Sequence, residues 1–378
     1  MKFLDKDLLE KNIQKVADYD FEHKKVFGSA YYVYQKNHIM YQKCFGYTSP
    51  EEIEPISDKT MFRLASMTKP ITAVAVLILV DKGLLSLSDP IYKFLPEFAK
   101  LCFVPTINGE LVDMGITKKH PTIQNLLTHT SGIEPSPRKE EYLTEEDKMS
   151  VDNYVRFALK AGLDYEPGSK QIYSPILAYD ILVKIIEIIS GMNYRDFLQR
   201  ELFDPCKMYD TVFLPSDEQW TRFISMHTNI NGENAVATLN PNCIFQDIPC
   251  THFLGGAGLA STLSDYVKFA LFLLNKGKVG GKQLISSDTL ELLYKPHVSS
   301  ELMPGPERWG LGVRVIVEES YQRLPVGTYG WSGAYGSHFW VDPQNEIVAI
   351  FLKNSCVDGG SGNESACNFE RAVSESLR

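Results

Sequence analysis

The fold is decided by residues 62–70, FRLASMTKP, which are followed at once by an apolar run at 71–80. This run is too long for an ordinary strand and is closed by Gly83, so it predicts a buried helix. If that helix begins near Met67, Pro70 falls in its first turn. A proline costs little there, because the first backbone N–H groups of a helix have no intrahelical partner.

Ser66 and Lys69 stand at the start of this predicted helix, one turn apart and on the same face. The helix N-terminus is its positive end. A free serine is a poor nucleophile, and a neighbouring base with a positive field is what activates it. A second Ser-x-x-Lys match at 136–139 lies in a proline-rich, charged loop with no helix behind it. We interpret that match as chance and Ser66 as the candidate nucleophile.

Composition and charge restrict the class of protein. The chain has 378 residues, 44% hydrophobic and 22% charged, which suits a soluble globular protein of one or two domains. A net charge of −9 without a basic tract argues against nucleic acid and anionic membrane surfaces. The charged N-terminus is unlike a signal peptide, and no window of about 18 apolar residues predicts a membrane span. Seven widely spaced cysteines favour free thiols in a reducing cytoplasm over disulfides or a zinc site.

The secondary-structure pattern runs from strands through helices and back to strands. Predicted strands lie at 29–35, 39–45, 309–317, 338–341 and 347–352. Predicted helices lie at 3–18, 151–162, 176–190, 194–203, 264–276 and 364–377, with a short one entering the polar turn at 128–132. Residues 101–121 are expected to form a loop excursion with a small hairpin at 108–109, and residues 229–249 a polar surface insertion.

This order predicts an α+β fold. The simplest architecture joins both ends of the chain in one antiparallel sheet, which the N- and C-terminal helices flank. We assign residues 1–65 and 300–378 to this sheet domain, and residues 66–299 to a mostly helical second domain. An active-site cleft is expected between them, where ligand sites often lie.

Tyr173 is the best candidate for removing the proton of the Ser66 hydroxyl. It lies in a turn-rich approach to the helix predicted at 176–190. A tyrosine is a weak base at neutral pH, and a nearby lysine cation favours its phenolate form. His129 invites a Ser-His-Asp interpretation, but no Gly-x-Ser-x-Gly elbow accompanies it, so we expect a structural role. His338, within the glycine-containing segment 329–343, is a further candidate for the site.

Residues 329–343, YGWSGAYGSHFWVDP, combine a strand pattern with three glycines. Glycine inside a strand usually marks a bulge or a close approach by another backbone or a ligand. We therefore expect an edge strand that offers backbone N–H groups to a substrate.

Taken in order, these segments resemble the serine beta-lactamase and penicillin-binding protein superfamily, above all its class C branch and the family VIII carboxylesterases. Residues 62–70 look like the nucleophile segment, 126–132 like a structural signature and 166–174 like the tyrosine motif. Residues 255–265 and 340–343 also match familiar stretches. The resemblance covers nearly the whole chain and implies a beta-lactamase/transpeptidase-like fold.

The resemblance implies an acyl-enzyme mechanism without a cofactor or metal ion. Ser66 would attack the acyl carbonyl, while Lys69 and Tyr173 would share the base duty as a coupled pair. The backbone N–H groups of Ser66 and Ala334 would form the oxyanion hole. Further contacts to a small-molecule acyl substrate would come from Trp331, Ser332 and Gly333.

Two departures from class C beta-lactamases bear on the substrate. Their tyrosine motif ends in asparagine, where this chain has Pro175, and their third motif begins with lysine, where it has Trp331. Neither replacement supplies the amide or the charge that helps bind a beta-lactam, although Ser332 keeps a hydroxyl. The Trp-x-Gly form is similar to that of the family VIII esterases. We therefore expect a carboxylesterase on small or medium acyl esters. Beta-lactamase or D-amino-acid peptidase activity and acyl transfer are the alternatives. A non-enzymatic binding protein is the least favoured, and the oligomeric state is left open.

Overall fold

The computed structural model describes residues 2–51, 54–133, 139, 142–238, 248–249, 251–319 and 324–378. Within these ranges the α-helices are α1 (Lys6–Glu22), α2 (Lys69–Asp81), α3 (Ile123–Leu127), α4 (Glu145–Lys148), α5 (Val151–Ala161), α6 (Leu177–Ser190), α7 (Tyr194–Leu198), α8 (Asp204–Cys206), α9 (Asp217–Trp220), α10 (Leu263–Leu274), α11 (Ser287–Tyr294) and α12 (Glu364–Ser374). Short 3-10 turns lie at Ala65–Thr68, Ile91–Lys93 and Pro96–Lys100, and a π-helical turn lies at Gln199–Phe203.

The seven strands of the main sheet are β1 (Gly28–Gln35), β2 (His38–Gly46), β11 (Glu307–Trp309), β12 (Arg314–Ile316), β13 (Tyr329–Ser332), β14 (His338–Asp342) and β15 (Ile347–Leu352). They lie in the order β11-β12-β13-β14-β15-β1-β2, and every neighbouring pair is antiparallel. Small two-stranded pairs are formed by β3 (Phe62–Arg63) with β8 (Ala260–Ser261), β4 (Thr106–Ile107) with β5 (Glu110–Leu111), β6 (His227–Ile230) with β7 (Glu233–Val236), and β9 (Lys278–Val279) with β10 (Lys282–Gln283).

The two ends of the chain meet in this sheet. Ala30 of β1 lies opposite Leu352 of β15 in the register of the central pair. Close to the termini, the Phe3 N–H donates to the Arg378 carbonyl over 3.1 Å, and the Arg378 N–H donates back over 2.8 Å. The α+β fold with one antiparallel sheet, predicted from strand patterns at both ends, is confirmed.

Each face of the sheet is covered by a different set of helices. Helices α1 and α12 pack against each other over one face, above a core that includes Tyr31, Trp340 and Phe369. Helix α10 packs on the other face, where Trp331 and Phe339 join the large core of the helical region. Full burial of one large apolar side chain stabilises a fold by about 1.5–3 kcal/mol. We call the face that carries Trp331 the front face and the opposite one the rear face.

Helix α2 is buried along nearly its whole length, as its continuous apolar sequence predicts. Pro70 occupies the first turn, where no intrahelical hydrogen bond is lost. The 3-10 turn at Ala65–Thr68 precedes the helix directly and contains Ser66. The predicted buried helix is thus confirmed, with its regular part beginning at Lys69.

Most predicted elements have a counterpart in the structure, and one strand prediction is wrong. Residues 309–317 form two antiparallel strands, β11 and β12, joined by a tight turn rather than a single strand. Gly312 in this turn has a φ of +72°, which L-residues with a side chain rarely adopt. The apolar pattern of the two strands is continuous, so periodicity alone hides the turn.

The position of β13 also differs from the prediction. The strand was expected at a sheet edge but lies between β12 and β14. Its pairing with β12 stops at Gly330, so only Trp331 and Ser332 lack a partner on that side in the register. Edge character is therefore confined to the end of the strand.

Two further predictions fall partly outside the described residues. The insertion predicted at 229–249 begins in a hairpin of β6 and β7, while residues 239–247 lie outside the description. Of the chance match at 136–139, only Lys139 is described, and its Nζ lies 2.6 Å from Asp164 Oδ1. The division of the chain into domains at 66 and 300 stays a prediction. Across the described ranges, no helix is both long and apolar enough to cross a bilayer.

Candidate active site

The segment that carries Ser66 is held by backbone contacts on both sides. β3 pairs with β8 just before it, and the Leu64 N–H donates to the Leu259 carbonyl over 2.9 Å. Ala65 has a φ of +44°, an unfavourable value for a residue with a side chain. Ser66 is half-buried, whereas Ala65 and Met67 on either side of it are buried. The turn therefore presents the Ser66 side chain alone toward the surface.

Lys69 lies fully buried beneath this turn. Its Nζ donates hydrogen bonds to the carbonyls of Pro175, over 2.5 Å, and Gly256, over 2.8 Å. The same nitrogen lies 4.9 Å from the centre of the Tyr173 ring. The two carbonyls leave Nζ one further position, which is a third N–H in the ammonium form and a lone pair in the amine form. Either form can exchange a proton with a neighbouring hydroxyl.

Glycine is required at position 256 by this arrangement. A Cβ there would lie 2.5 Å from the Pro175 oxygen and 3.0 Å from Lys69 Nζ. In the sequence, Pro175 is distinguished only by its lack of the side-chain amide that asparagine supplies in the class C motif. Its backbone carbonyl is nevertheless one of the two acceptors of Lys69, and no side-chain pattern could have indicated this.

Tyr173 is half-buried in a cluster of aromatic rings. The Trp331 indole N–H donates to Tyr173 Oη over 3.3 Å. The Trp309 ring stacks on Tyr173 with 5.9 Å between centroids, and the His129 ring lies at 4.5 Å. Trp309 was not singled out from the sequence, because its segment matched an ordinary strand pattern. The cluster fixes Tyr173 between Lys69 and the end of β13.

His129 holds the backbone on both sides of Tyr173. Its Nδ1 accepts from the Ser174 N–H over 3.1 Å, and its carbonyl accepts from the Ile172 N–H over 3.0 Å. Burial, with a smaller effect from Lys69, holds the pKa of His129 well below its ordinary value, so the ring is neutral. Because Nδ1 accepts, the proton of the neutral ring is on Nε2. His129 thus holds the backbone of the two residues that flank Tyr173.

The end of β13 packs directly against the segment of Ser66. A Cβ on Gly333 would lie only 2.4 Å from the Leu64 carbonyl oxygen, so the close approach requires glycine. The next residue, Ala334, is exposed in a tight turn, which the Gly336 N–H closes on the Gly333 carbonyl over 3.0 Å. Among the described residues, neither the Ser66 nor the Ala334 N–H donates to another protein group. Both N–H groups are therefore available to an external acceptor.

The side chains of Trp331 and Ser332 point to opposite faces of the sheet. Trp331 lies on the front face with Tyr173, whereas Ser332 Oγ lies 2.8 Å from His338 Nδ1 on the rear face. His338 Nε2 lies in turn 2.9 Å from Glu370 Oε1 of α12. Of the predicted substrate contacts, Trp331 therefore lies against Tyr173, and Gly333 lies against Leu64 and Ala65. The Ser332 side chain is buried on the rear face.

The described residues contain no group of three His, Cys, Asp or Glu side chains arranged to hold a metal ion. Lys69 Nζ lies against the Tyr173 ring, Ser66 stands one turn before Lys69 in the same segment, and the Ser66 and Ala334 N–H groups donate to no other group among the described residues. Such a set can carry nucleophilic acyl chemistry, because it combines a hydroxyl, a proton acceptor and donors for an oxyanion.

Comparison with known proteins agrees with this chemistry. A family model described as Beta-lactamase matches residues 9–365. Esterase EstB of Burkholderia gladioli is 28% identical over 389 residues, covering 95% of this chain and 94% of EstB. The structure of EstCE1, described as a hydrolase with promiscuous acyltransferase activity, superposes with a TM-score of 0.81 at 23% identity, over 97% of this chain and 99% of EstCE1. Unliganded simvastatin synthase LovD of Aspergillus terreus superposes with a TM-score of 0.76 at 19% identity, over 96% of each chain. The chain belongs to the beta-lactamase family, within the serine hydrolase superfamily.

Proposed function

We propose that this protein is a carboxylesterase that hydrolyses small or medium acyl esters through an acyl-enzyme on Ser66. The observation that carries the proposal is the position of Lys69 Nζ, bound by two backbone carbonyls directly under the Tyr173 ring and one turn from Ser66. A buried lysine in this place has no ion-pair partner among the described residues, so a proton-transfer role accounts for it better than a structural one.

The proposed reaction has two halves. Ser66 Oγ attacks the ester carbonyl carbon and its proton passes to the Lys69–Tyr173 pair, while the N–H groups of Ser66 and Ala334 bind the developing oxyanion. The tetrahedral intermediate then expels the alcohol, which takes a proton from Tyr173, and the acyl group stays on Ser66. Water attacks this acyl-enzyme with the same pair as base, which releases the carboxylic acid and restores the serine.

The uncharged hydrogen-bond donor at Tyr173 Oη supports an ester over a beta-lactam. Trp331 offers Tyr173 Oη an uncharged indole N–H, where the resemblance to class C beta-lactamases would place a lysine. Pro175 has no side-chain amide, and its carbonyl is already bound by Lys69. Without a cation at the third motif, a substrate carboxylate loses a charge-assisted hydrogen bond worth about 1.5–3 kcal/mol. Similarity to Esterase EstB over most of both chains supports the same choice.

A panel of p-nitrophenyl esters of graded acyl length, run beside nitrocefin, tests this proposal. We expect ester turnover with a kcat/KM at least about tenfold above that for nitrocefin, in keeping with the missing charged contact. A fluorophosphonate probe should label Ser66, as located by peptide mass spectrometry. Labelling that persists unchanged in Ser66→Ala would refute Ser66 as the nucleophile.

Acyl transfer to an alcohol is the second candidate. The half-exposed position of Ser66 supports it, since an acyl group there is open to acceptors other than water. Product partition in the presence of a competing alcohol separates the two activities. Formation of the free acid alone at high alcohol concentration would reject transfer.

A further inference from the structure

A buried chain of polar side chains runs behind β13, on the rear face of the sheet. Ser332 Oγ lies 2.8 Å from His338 Nδ1, and His338 Nε2 lies 2.9 Å from Glu370 Oε1. The Arg314 guanidinium donates to the same Glu370 oxygen. The four residues are between 1% and 5% exposed, so the chain is closed to solvent.

The direction of each hydrogen bond in this chain follows from the charges. Burial would raise the pKa of Glu370, but the charge of Arg314 and the hydrogen bond from His338 lower it to about 2. Burial, with a smaller effect from the charge of Arg314, lowers the pKa of His338 against the raising effects of Glu370 and the Trp331 carbonyl, so the ring is neutral. A carboxylate only accepts, hence His338 Nε2–H donates to Glu370 and Nδ1 accepts from the Ser332 hydroxyl. The hydroxyl proton of Ser332 is therefore held by His338 and is not free for a substrate.

Ser332 is also the last residue of β13 with a partner in the sheet. The pairing with β12 ends at Gly330, which lies opposite Arg314, and the pairing with β14 ends at Ser332 and His338. Beyond Ser332 the Gly333 N–H still donates to the Ser337 carbonyl over 2.7 Å, and the chain then turns, with Ala334 as the exposed residue of that turn. Three of the four residues at these last pairs, Arg314, Ser332 and His338, belong to the buried chain. Arg314 and His338 both contact Glu370 of α12.

We propose that the chain of Ser332, His338, Glu370 and Arg314 is a positioning device for the oxyanion hole. It holds the Ser332 side chain on the rear face of the sheet. It thereby fixes the Gly333–Ala334 peptide, whose N–H faces the substrate oxygen. Ser332 is accordingly a positioning residue that does not contact the substrate. The inference rests on the proposed function, because it assigns a purpose to the Ala334 N–H in acyl transfer to Ser66.

The test compares Ser332→Ala with Ser332→Thr and with a matched control, Ser29→Ala. Ser29 is a fully buried serine in β1 of the same sheet, distant in sheet order from β13. Turnover of p-nitrophenyl butyrate is measured per Ser66 labelled by fluorophosphonate, so that unfolded protein does not count. We expect kcat of Ser332→Ala to fall about tenfold with KM within about twofold. This is less than the 100- to 1,000-fold roughly expected when an oxyanion donor is removed outright, because here the donor is only displaced.

Ser332→Thr keeps a hydroxyl and should recover most of the lost kcat, while Ser29→Ala should match the wild type per labelled site. A purely structural role would lower the melting temperature and the labelled fraction but leave kcat per site unchanged. That outcome, or an equal loss in Ser29→Ala, would overturn the inference.

The proposed function can fail separately. If the wild type turns over no ester but is labelled at Ser66, the labelling rate itself is compared, since phosphonylation also places charge on an oxygen at these N–H groups. A labelling rate about tenfold lower in Ser332→Ala supports the positioning device, and an equal rate overturns it. A wild type that shows neither turnover nor labelling overturns both proposals.

Discussion

Replacing Trp331 by Phe would remove one hydrogen bond at the centre of the site and keep an aromatic ring there. The indole N–H donates to Tyr173 Oη over 3.3 Å, slightly beyond the usual range for N–H···O bonds. The net stabilisation from such a bond is about 0.5–1.5 kcal/mol when the acceptor is neutral and about 1.5–3 kcal/mol when the acceptor is charged. If Tyr173 carries negative charge in the transition state, the length of the bond favours the low end, about 1.5 kcal/mol. We therefore expect kcat/KM to fall about tenfold.

The matched control is Trp309→Phe. Trp309 belongs to the same aromatic cluster and stacks on Tyr173, but within the described residues no hydrogen bond joins it to that phenol. Both variants lose a similar ring area, so both should lose similar thermal stability, and Trp309→Phe should keep kcat/KM within about threefold of the wild type, the effect of less than 1 kcal/mol. Steady-state hydrolysis of p-nitrophenyl butyrate, with melting temperatures in parallel, measures both effects. Equal losses in the two variants, or no loss in Trp331→Phe, would show that the indole N–H does not act on Tyr173.

Three other changes have predictable outcomes. In Gly333→Ala the new Cβ would meet the Leu64 carbonyl at 2.4 Å, so unfolding free energy should fall by about 1–3 kcal/mol in urea titrations, with a loss of kcat. In Gly256→Ala the Cβ would lie 3.0 Å from Lys69 Nζ, so fluorophosphonate labelling should slow sharply, and a normal labelling rate would speak against Lys69 as part of the base. The pKa of Glu370, lowered to about 2 in the folded protein from its ordinary value of 4.5, gives stability that is present above pH 4.5 and lost as pH falls toward 2. The free energy of unfolding, measured by urea titration, should therefore fall less between pH 5 and pH 3 in Glu370→Gln than in the wild type. Equal falls in the two proteins would contradict the lowered pKa of Glu370.

The sequence predicted the elements around Ser66 because their signals are local. A continuous apolar run predicts a buried helix wherever it packs, and Pro70 at its start restricts where the helix can begin. The hairpin of β1 and β2 has equally local signals in its alternation and its turn. The type of such an element can be predicted without knowing what packs against it.

Other parts of the site depend on contacts that no local pattern encodes. The backbone carbonyl of Pro175 accepts a hydrogen bond from Lys69. Any residue type at position 175 would offer the same carbonyl, so the residue type does not indicate this contact. Glu370 lies in an amphipathic helix, where a glutamate normally faces solvent, yet it is buried against Arg314. The turn at Gly312 divides an apolar run whose two halves both pair in the sheet. These features follow from the tertiary arrangement alone.

The pairing of β1 with β15 also imposes an order on folding. The first hairpin leaves the ribosome long before β13, β14 and β15 are made, so β1 must wait for its partner while the intervening helices form through contacts close in sequence. The turn that carries Ala334 belongs to this late-arriving part of the sheet. A refolding chain should therefore regain helical circular dichroism before it regains the proposed ester hydrolysis, because the helix that follows Ser66 can assemble before the strand that would complete the proposed oxyanion hole.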